Sequence, residues 1–266
     1  MQLLLGIVSG ILISILAWRA GSLSNSGAVA AAVTGGLIFG LGGLPWAALL
    51  LVFFISSSAL SRTFKRRKAG LGEKFAKGSR RDWGQVLANG GLGMLLVLVL
   101  VAAPEQTWIW VAYAGSMAAV NADTWSTELG VLNPKPPRLI ANGKIVEPGT
   151  SGGISLLGTL ATLGGAAIIG LVGAAFSVGS GALTLLTAAT LGGVCGSLFD
   201  SLLGATVQAI YHCPHCDKET ERHPQHICGT ETVQIRGWHW LNNDMVNFMA
   251  SILGAVVAGG VWWGWQ

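Results

Sequence analysis

Apolar residues run along this chain in long blocks, and most polar residues collect in a few gaps between them. A helix that crosses a bilayer needs roughly 20 mostly apolar residues, about 17 to 25 in practice. Eight blocks meet or approach that length, at about 2–18, 27–44, 46–61, 85–103, 107–121, 153–177, 181–206 and 244–265. The third and fifth are short and the seventh contains Asp200, so six and seven are the lower counts. The pattern predicts an all-α fold, a polytopic transmembrane helical bundle forming a single integral membrane domain over 1–266. Its polar gaps fall at about 62–84, 121–152 and 207–243, too short for a separate soluble domain. The first block lacks a charged start and an Ala-x-Ala-type cleavage site, and so reads as a retained span.

Composition agrees. The chain is 52% hydrophobic and 11% charged, against about 25% charged residues in soluble domains, and its mean hydropathy is +0.59. Its 39 glycines suit close-packed membrane helices. Charge placement orients the chain. Of 16 basic residues, nine lie between Arg62 and Arg81, and Arg19 follows the first block. The others are Lys135, Arg138, Lys144, Lys218, Arg222 and Arg236. Eight spans with the N-terminus outside put all of them on the cytoplasmic side, as the positive-inside rule requires. The stretch from Arg62 to Asp82 is a topogenic signal touching anionic lipid, an attractor for a phosphorylated head group or nucleotide, or both. Nucleic acid is not an expected partner, because these charges hug the membrane with only Phe64 and Phe75 among them. Trp108, Trp110, Trp262, Trp263 and Trp265 fit an outer aromatic belt.

Ionisable groups in or beside a span are expensive and usually functional. Asp82, Asp123, Glu128, Asp200 and Asp244 all stand there, near the predicted cytoplasmic interface. Asp82, Gln85 and Asn89 share one helical face, as do Asp244, Asn247 and Ser251. Ser197, Asp200, Ser201 and Gly204 form a small polar face. Asp123 and Glu128 stand about 140° apart on a helix, so they share a ligand only if the helix breaks; Thr127 is the better same-face neighbour of Asp123. Carboxylates and amides suit Mg²⁺ bridging phosphates. The plain alternative is interhelical hydrogen bonding, with the acids paired to Arg80, Arg81 or Lys144.

The turn Glu147–Gly158 (EPGTSGGISLLG) offers tight backbone at Gly149, Gly152 and Gly153, with Thr150 or Ser151 to cap the next helix. Free N–H groups at a helix start bind anions, which makes it a candidate phosphate cradle. It is not a Walker A loop, since no lysine follows the glycines. In the third gap, Cys213 and Cys216 form a CxxC pair ahead of His226 and Cys228, a legitimate Cys₃His zinc set that would be structural. His212, His215 and His223 are spare candidates, and the plain alternative is unmetallated thiols in a polar hairpin. Cys195, inside a block, reads as a packing residue.

Six ordered motifs resemble one family: RRDWGQVLANGG, NADTWSTELG, PGTSGGISLLGT, GSLFDSLLGATVQ, CPHC with the downstream HIC, and WLNNDMVN. They look like the integral membrane phytyl-phosphate kinases of plants and cyanobacteria, a family with many bacterial and archaeal members. The resemblance runs from LSNSGAVAAAVTGG (Leu23 to Gly36) onward. It implies transfer of a phosphoryl group from a nucleoside triphosphate, typically CTP, to a prenyl monophosphate such as phytyl phosphate, feeding tocopherol synthesis. On that expectation Mg²⁺ is held by Asp123 and Asp200, with Glu128 and Asp244 as further ligands. Arg80, Arg81 and Lys144 neutralise the transferred group. Asp82, Asn89, Thr127, Gly149, Thr150, Ser151, Gly152, Gly153, Ser197, Ser201, Asn243, Asp244 and Asn247 bind substrate and nucleotide. The expected partners are a prenyl phosphate lipid, a nucleoside triphosphate and the membrane, plasma or thylakoid. The rival readings are a CTP-dependent cytidylyltransferase on a lipid phosphate, and a lipid or anion transporter without catalysis.

Overall fold

A computed structural model of the chain describes residues 1–64, 74–78, 80–177 and 181–265. The basic residues Lys65, Arg66, Arg67 and Lys68 of the Arg62–Asp82 stretch lie outside the described residues. Among the described residues seven helices carry the fold: α1 Gln2–Arg19, α2 Asn25–Thr63, α3 Trp83–Ala102, α4 Thr107–Gly130, α5 Leu156–Ala175, α6 Gly181–Thr206 and α7 Asn243–Trp263. Six of them, all but α4, are long and apolar enough to cross a membrane.

Helix α2 spans two predicted blocks because Gly43 breaks it, at φ 76° and ψ −167°, two residues before Pro45. A side chain at that φ would be strained, and proline forbids a regular turn. The two arms fold back on each other: a Cβ on Gly35 would meet the Leu50 side chain at 3.8 Å. At the open end, Arg62 donates to the Ala20 carbonyl (2.6 Å) and to Ser22 Oγ (2.9 Å).

Helix α4 is the axis of the bundle. Residues Val111 to Ala122 are buried on every side, packed by α5, α6 and α7. Its neighbours are protein and not lipid, so it is built from Ala, Gly and Ser where a lipid-facing helix uses Leu and Ile. That explains both its modest hydropathy and its close packing. A Cβ on Gly115 would stand 2.5 Å from the Gly254 carbonyl oxygen of α7. Outward faces, such as Leu4, Ile11 and Leu12 of α1, are exposed as lipid requires.

The polar gaps are not the plain loops expected of an all-α chain. β1 (Arg138–Leu139) pairs antiparallel with β2 (Gly153–Ile154), and β3 (Ile210–Cys213) lies between β4 (Lys218–Thr220) and β5 (Val233–Arg236), both antiparallel to it. This second sheet is tied to the bundle at its root, where Ala209 N donates to the Leu241 carbonyl (2.9 Å).

Candidate active site

The ends of α4 and α6, the start of α3, the start of α7 and the loops over them enclose a cavity of about 520 Å³. Each wall has a local cause. The segment before α3 is strapped to the one before α2: Arg81 N donates to the Ser22 carbonyl (3.0 Å) and Ser24 N to the Arg81 carbonyl (2.9 Å). Gly27 permits this contact, since a Cβ there would overlap the Arg81 carbonyl. Arg81 then donates to Ser58 Oγ (3.0 Å), with its guanidinium 5.7 Å from the centroids of both Phe53 and Phe54, a range at which cation–π attraction operates.

Asp123, Thr127 and Glu128 of α4 all line the cavity, although α4 is continuous through them. The cavity wraps the end of the helix, so the two acids face different walls. Glu128 accepts from Ser61 Oγ (2.7 Å). Asp200 of α6 and Glu221 line the same cavity as Asp123. Asp200 Oδ2 is buried and has no hydrogen-bond partner among the described residues. Glu221 follows β4 directly. It accepts from Ala76 N (3.2 Å) and Gln208 Nε2 (2.9 Å), and its own N–H donates to the Lys74 carbonyl (2.9 Å). Burial pushes its carboxyl up despite these donors, and the Asp244 charge adds to the push.

Ser201, Asn89, Asn243 and Asn247 complete the helical walls, and Gly149, Thr150, Ser151, Gly152 and Gly153 form the facing loop. Gly149 (φ 80°) and Gly152 (φ 79°) take the left-handed backbone that glycine favours. The turn packs on the end of α6: a Cβ on Gly204 would stand 2.6 Å from Ser151 Oγ. Ser151 Oγ donates to Gln208 Oε1 (2.9 Å), and Gln208 in turn holds Glu221.

Several expectations need correction. Thr150 and Ser151 do not cap α5. Strand β2 intervenes, and Ser155 is the cap, accepting from Gly158 N (3.1 Å). Leu157 N also donates to Asn133 Oδ1 (3.4 Å), so side chains already occupy first-turn N–H groups of α5 that an anion would use. Lys144 does not line the cavity. It is exposed in a small hairpin, where its carbonyl accepts from Leu139 N (2.8 Å). Ser197 is buried one turn deeper, 3.5 Å from Thr162 Oγ1. Asp82 caps α3 in a capping box with Gln85, and Lys77 bridges it to Asp244. Asp82 and Asp244 are thus paired with Lys77 at the cavity's edge and are not part of its lining, while Asp244 Oδ1 stays buried without a hydrogen-bond partner among the described residues.

Glu221 and Lys77 are the residues that sequence reasoning missed. Both sit in polar stretches without helical periodicity, and only the pairing of β4 with β3 brings Glu221 to the cavity. In the same sheet the ligand atoms of Cys213, Cys216, His226 and Cys228 all lie within 4.8 Å of one another.

A family model for the integral membrane protein DUF92 matches residues 8–255. The chain belongs to this family. Among its relatives, Protein PGR of Arabidopsis thaliana is 32% identical over 95% of this chain and 93% of its own. The uncharacterized membrane protein MJ0933 of Methanocaldococcus jannaschii is 32% identical over 88% of this chain and 84% of its own. Protein VTE6, chloroplastic, of Arabidopsis thaliana is 28% identical over 89% of this chain and 64% of its own. No solved structure matches. Membership in DUF92 makes the chain an integral membrane protein, as its six long apolar helices require.

Proposed function

We propose that this protein transfers a phosphoryl group from a nucleoside triphosphate to a prenyl monophosphate, giving the prenyl diphosphate. One observation carries the reading. A second cavity of about 220 Å³, lined by Ile13, Phe39, Leu50, Phe54 and other apolar residues of α1, α2 and α3, shares Arg81, Gln85 and Asn89 with the acid-lined cavity. An apolar pocket that shares an arginine with a neighbouring polar one fits a molecule with an apolar chain and an anionic head. The motif resemblance to phytyl-phosphate kinases and the relation to VTE6 support the same class, and CTP is the donor the resemblance favours.

The residues fit a hard divalent cation. Three carboxylates line one cavity, the Asp200 oxygen has no hydrogen-bond partner among the described residues, and open volume remains for phosphates and water. Asp123, Asp200 and Glu221 would hold Mg²⁺, with Glu128 on the opposite wall. When bound, the ion neutralises donor phosphate charge and orients the γ-phosphate.

The chain's own groups do the rest. Arg81, fixed by the Ser22–Ser24 strap and by Ser58, receives the acceptor's phosphate at the mouth of the apolar cavity. The Gly149–Gly153 turn lets backbone approach the donor phosphates. An acceptor phosphate oxygen attacks the γ-phosphorus, the bond from that phosphorus to the β-phosphate oxygen breaks, and the nucleoside diphosphate leaves. That oxygen is already ionised, so no general base is needed, and rate comes from positioning and charge neutralisation. Asp200 lies six residues from the end of α6, about 9 Å along the axis, which argues against the midplane site usual in transporters.

The test uses purified protein in detergent with Mg²⁺, phytyl monophosphate and γ-labelled CTP. Label in a prenyl diphosphate with CDP released is the expected result. Label released as pyrophosphate with CMP joined to lipid moves the assignment to a cytidylyltransferase. No turnover with any prenyl phosphate or triphosphate overturns the reading.

A further inference from the structure

We propose that Cys213, Cys216, His226 and Cys228 bind one structural zinc ion, and that this ion fastens the sheet that delivers Glu221 to the cavity. In a tetrahedral site with Zn–S of about 2.3 Å and Zn–N of about 2.0 Å, ligand atoms stand about 3.5–3.8 Å apart. Cys213 Sγ and Cys228 Sγ are 3.6 Å apart, and His226 Nδ1 is 3.3 Å from Cys228 Sγ. All four ligand atoms lie within 4.8 Å of one another, and the three cysteines are free thiols.

Two tight turns produce this convergence. The first closes with Asp217 N donating to the Cys213 carbonyl (2.9 Å) and carries Cys216. The second runs from His226, whose N–H donates to the Thr230 carbonyl (2.9 Å), through Gly229 at φ 83°. Of the neighbouring histidines, His215 stands at the edge of the cluster, its Nδ1 3.8 Å from Cys216 Sγ, and the other two are engaged elsewhere. His212 Nε2 pairs with Asp217 (3.0 Å), and His223 stacks on Tyr211 with ring centroids 4.5 Å apart.

The sheet also needs a fastener. Its strands are four, three and four residues long, and β5 is largely exposed. So small a sheet buries too little to hold its shape alone, and metal coordination is the usual remedy. Four protein ligands leave no open position, which makes the site structural. Its consequence lies two residues past β4's central position: Glu221 and, through it, the Lys74–Ala76 backbone are held where the sheet places them. The inference stands independently of the reaction proposed above.

The deciding experiment is elemental analysis of the full chain, purified in detergent without chelator, together with the ligand-field spectrum after Co²⁺ exchange. About one zinc per chain and a tetrahedral Co²⁺ spectrum are expected. Cys228→Ser should lower zinc content by more than about tenfold, while Cys216→His and Cys195→Ser should retain it. Hydrogen exchange should rise across 210–236 in Cys228→Ser and remain unchanged in the helices. If the variants fail to fold, the wild-type metal content and Co²⁺ spectrum decide alone. Wild-type protein with no zinc and no Co²⁺ uptake, or a disulfide joining Cys213 and Cys228, overturns the proposal.

Discussion

The two clusters proposed here to hold a metal are built in opposite ways. Asp123, Asp200 and Glu221 come from α4, α6 and the segment after β4, each fixed by long-range packing. They offer hard oxygen ligands and border a cavity of about 520 Å³. Cys213, Cys216, His226 and Cys228 fall within sixteen residues, positioned by two turns, and their three thiols and one imidazole lie within 4.8 Å of one another. The first arrangement leaves room for substrate and water. The second, with four protein ligands on one ion, would leave no open position. Openness, not ligand count, separates a site that acts on a phosphate from one that braces a sheet.

Chelation should break the pair apart most strongly. Brief exposure to EDTA should abolish turnover, and excess Mg²⁺ should restore it, while the Cys/His cluster keeps its zinc. Turnover unaffected by chelator would remove the carboxylate site as drawn. Next in size, Asp123→Asn and Asp200→Asn should each lower turnover by about 10²–10³-fold, as loss of a preorganised charge at a reacting centre does. Both variants should fold, because asparagine matches aspartate in size and removes a buried charge, and thermal unfolding in detergent checks this. Wild-type rates in both would sink the metal–phosphate reading. Arg81→Lys should act on the other partner. The planar guanidinium lies against Phe53 and Phe54 while bonding Ser58, and lysine cannot reproduce that geometry. We expect KM for the prenyl phosphate to rise about tenfold, with KM for the nucleotide little changed. An equal effect on both would place Arg81 at the donor instead.

The contrast also explains what was legible in the chain. Blocks of lipid-facing apolar residues announce helices, and the Gly43–Pro45 break announces the fold-back of α2, because both are local. The Cys/His spacing is legible for the same reason. The predicted block at 107–121 stops short because α4 carries its polar residues on to Gly130 inside protein, where hydropathy no longer reports helix. Glu221 had no signal at all: it sits in an aperiodic polar loop, and only the β3–β4 pairing gives it a place. Asp82 and Asp244 misled for the converse reason. An acid at a helix start looks like a ligand, and here Lys77, itself hidden in a basic stretch, claims both.

That ion pair supplies the smallest and most specific prediction. Asp82 caps α3, and asparagine caps nearly as well as aspartate, so Asp82→Asn removes charge while keeping the cap. Burial opposes ionisation of Asp82, but the Gln85 amide and Lys77 outweigh it and hold its carboxyl below the usual range. Lys77 is likewise raised: burial works against it, and its bonds to Asp244 and Asp82 more than offset that. A lowered carboxyl stabilises the fold above its unfolded value of about 3.9 and loses that contribution as pH falls through its folded value. A raised ammonium contributes below about 10.4 and loses its contribution as pH rises through its folded value. Both partners are partly exposed, so solvent screening limits the pair to about 0.5–1 kcal/mol. Thermal unfolding of Asp82→Asn against wild type should therefore show a small, flat deficit between those limits that closes toward acid. A deficit that persists below pH of about 2 would mean the substitution disturbs the cap and not the charge. Because Asp82 itself stands outside the cavity lining, although Lys77 is part of it, turnover at neutral pH should stay close to wild type.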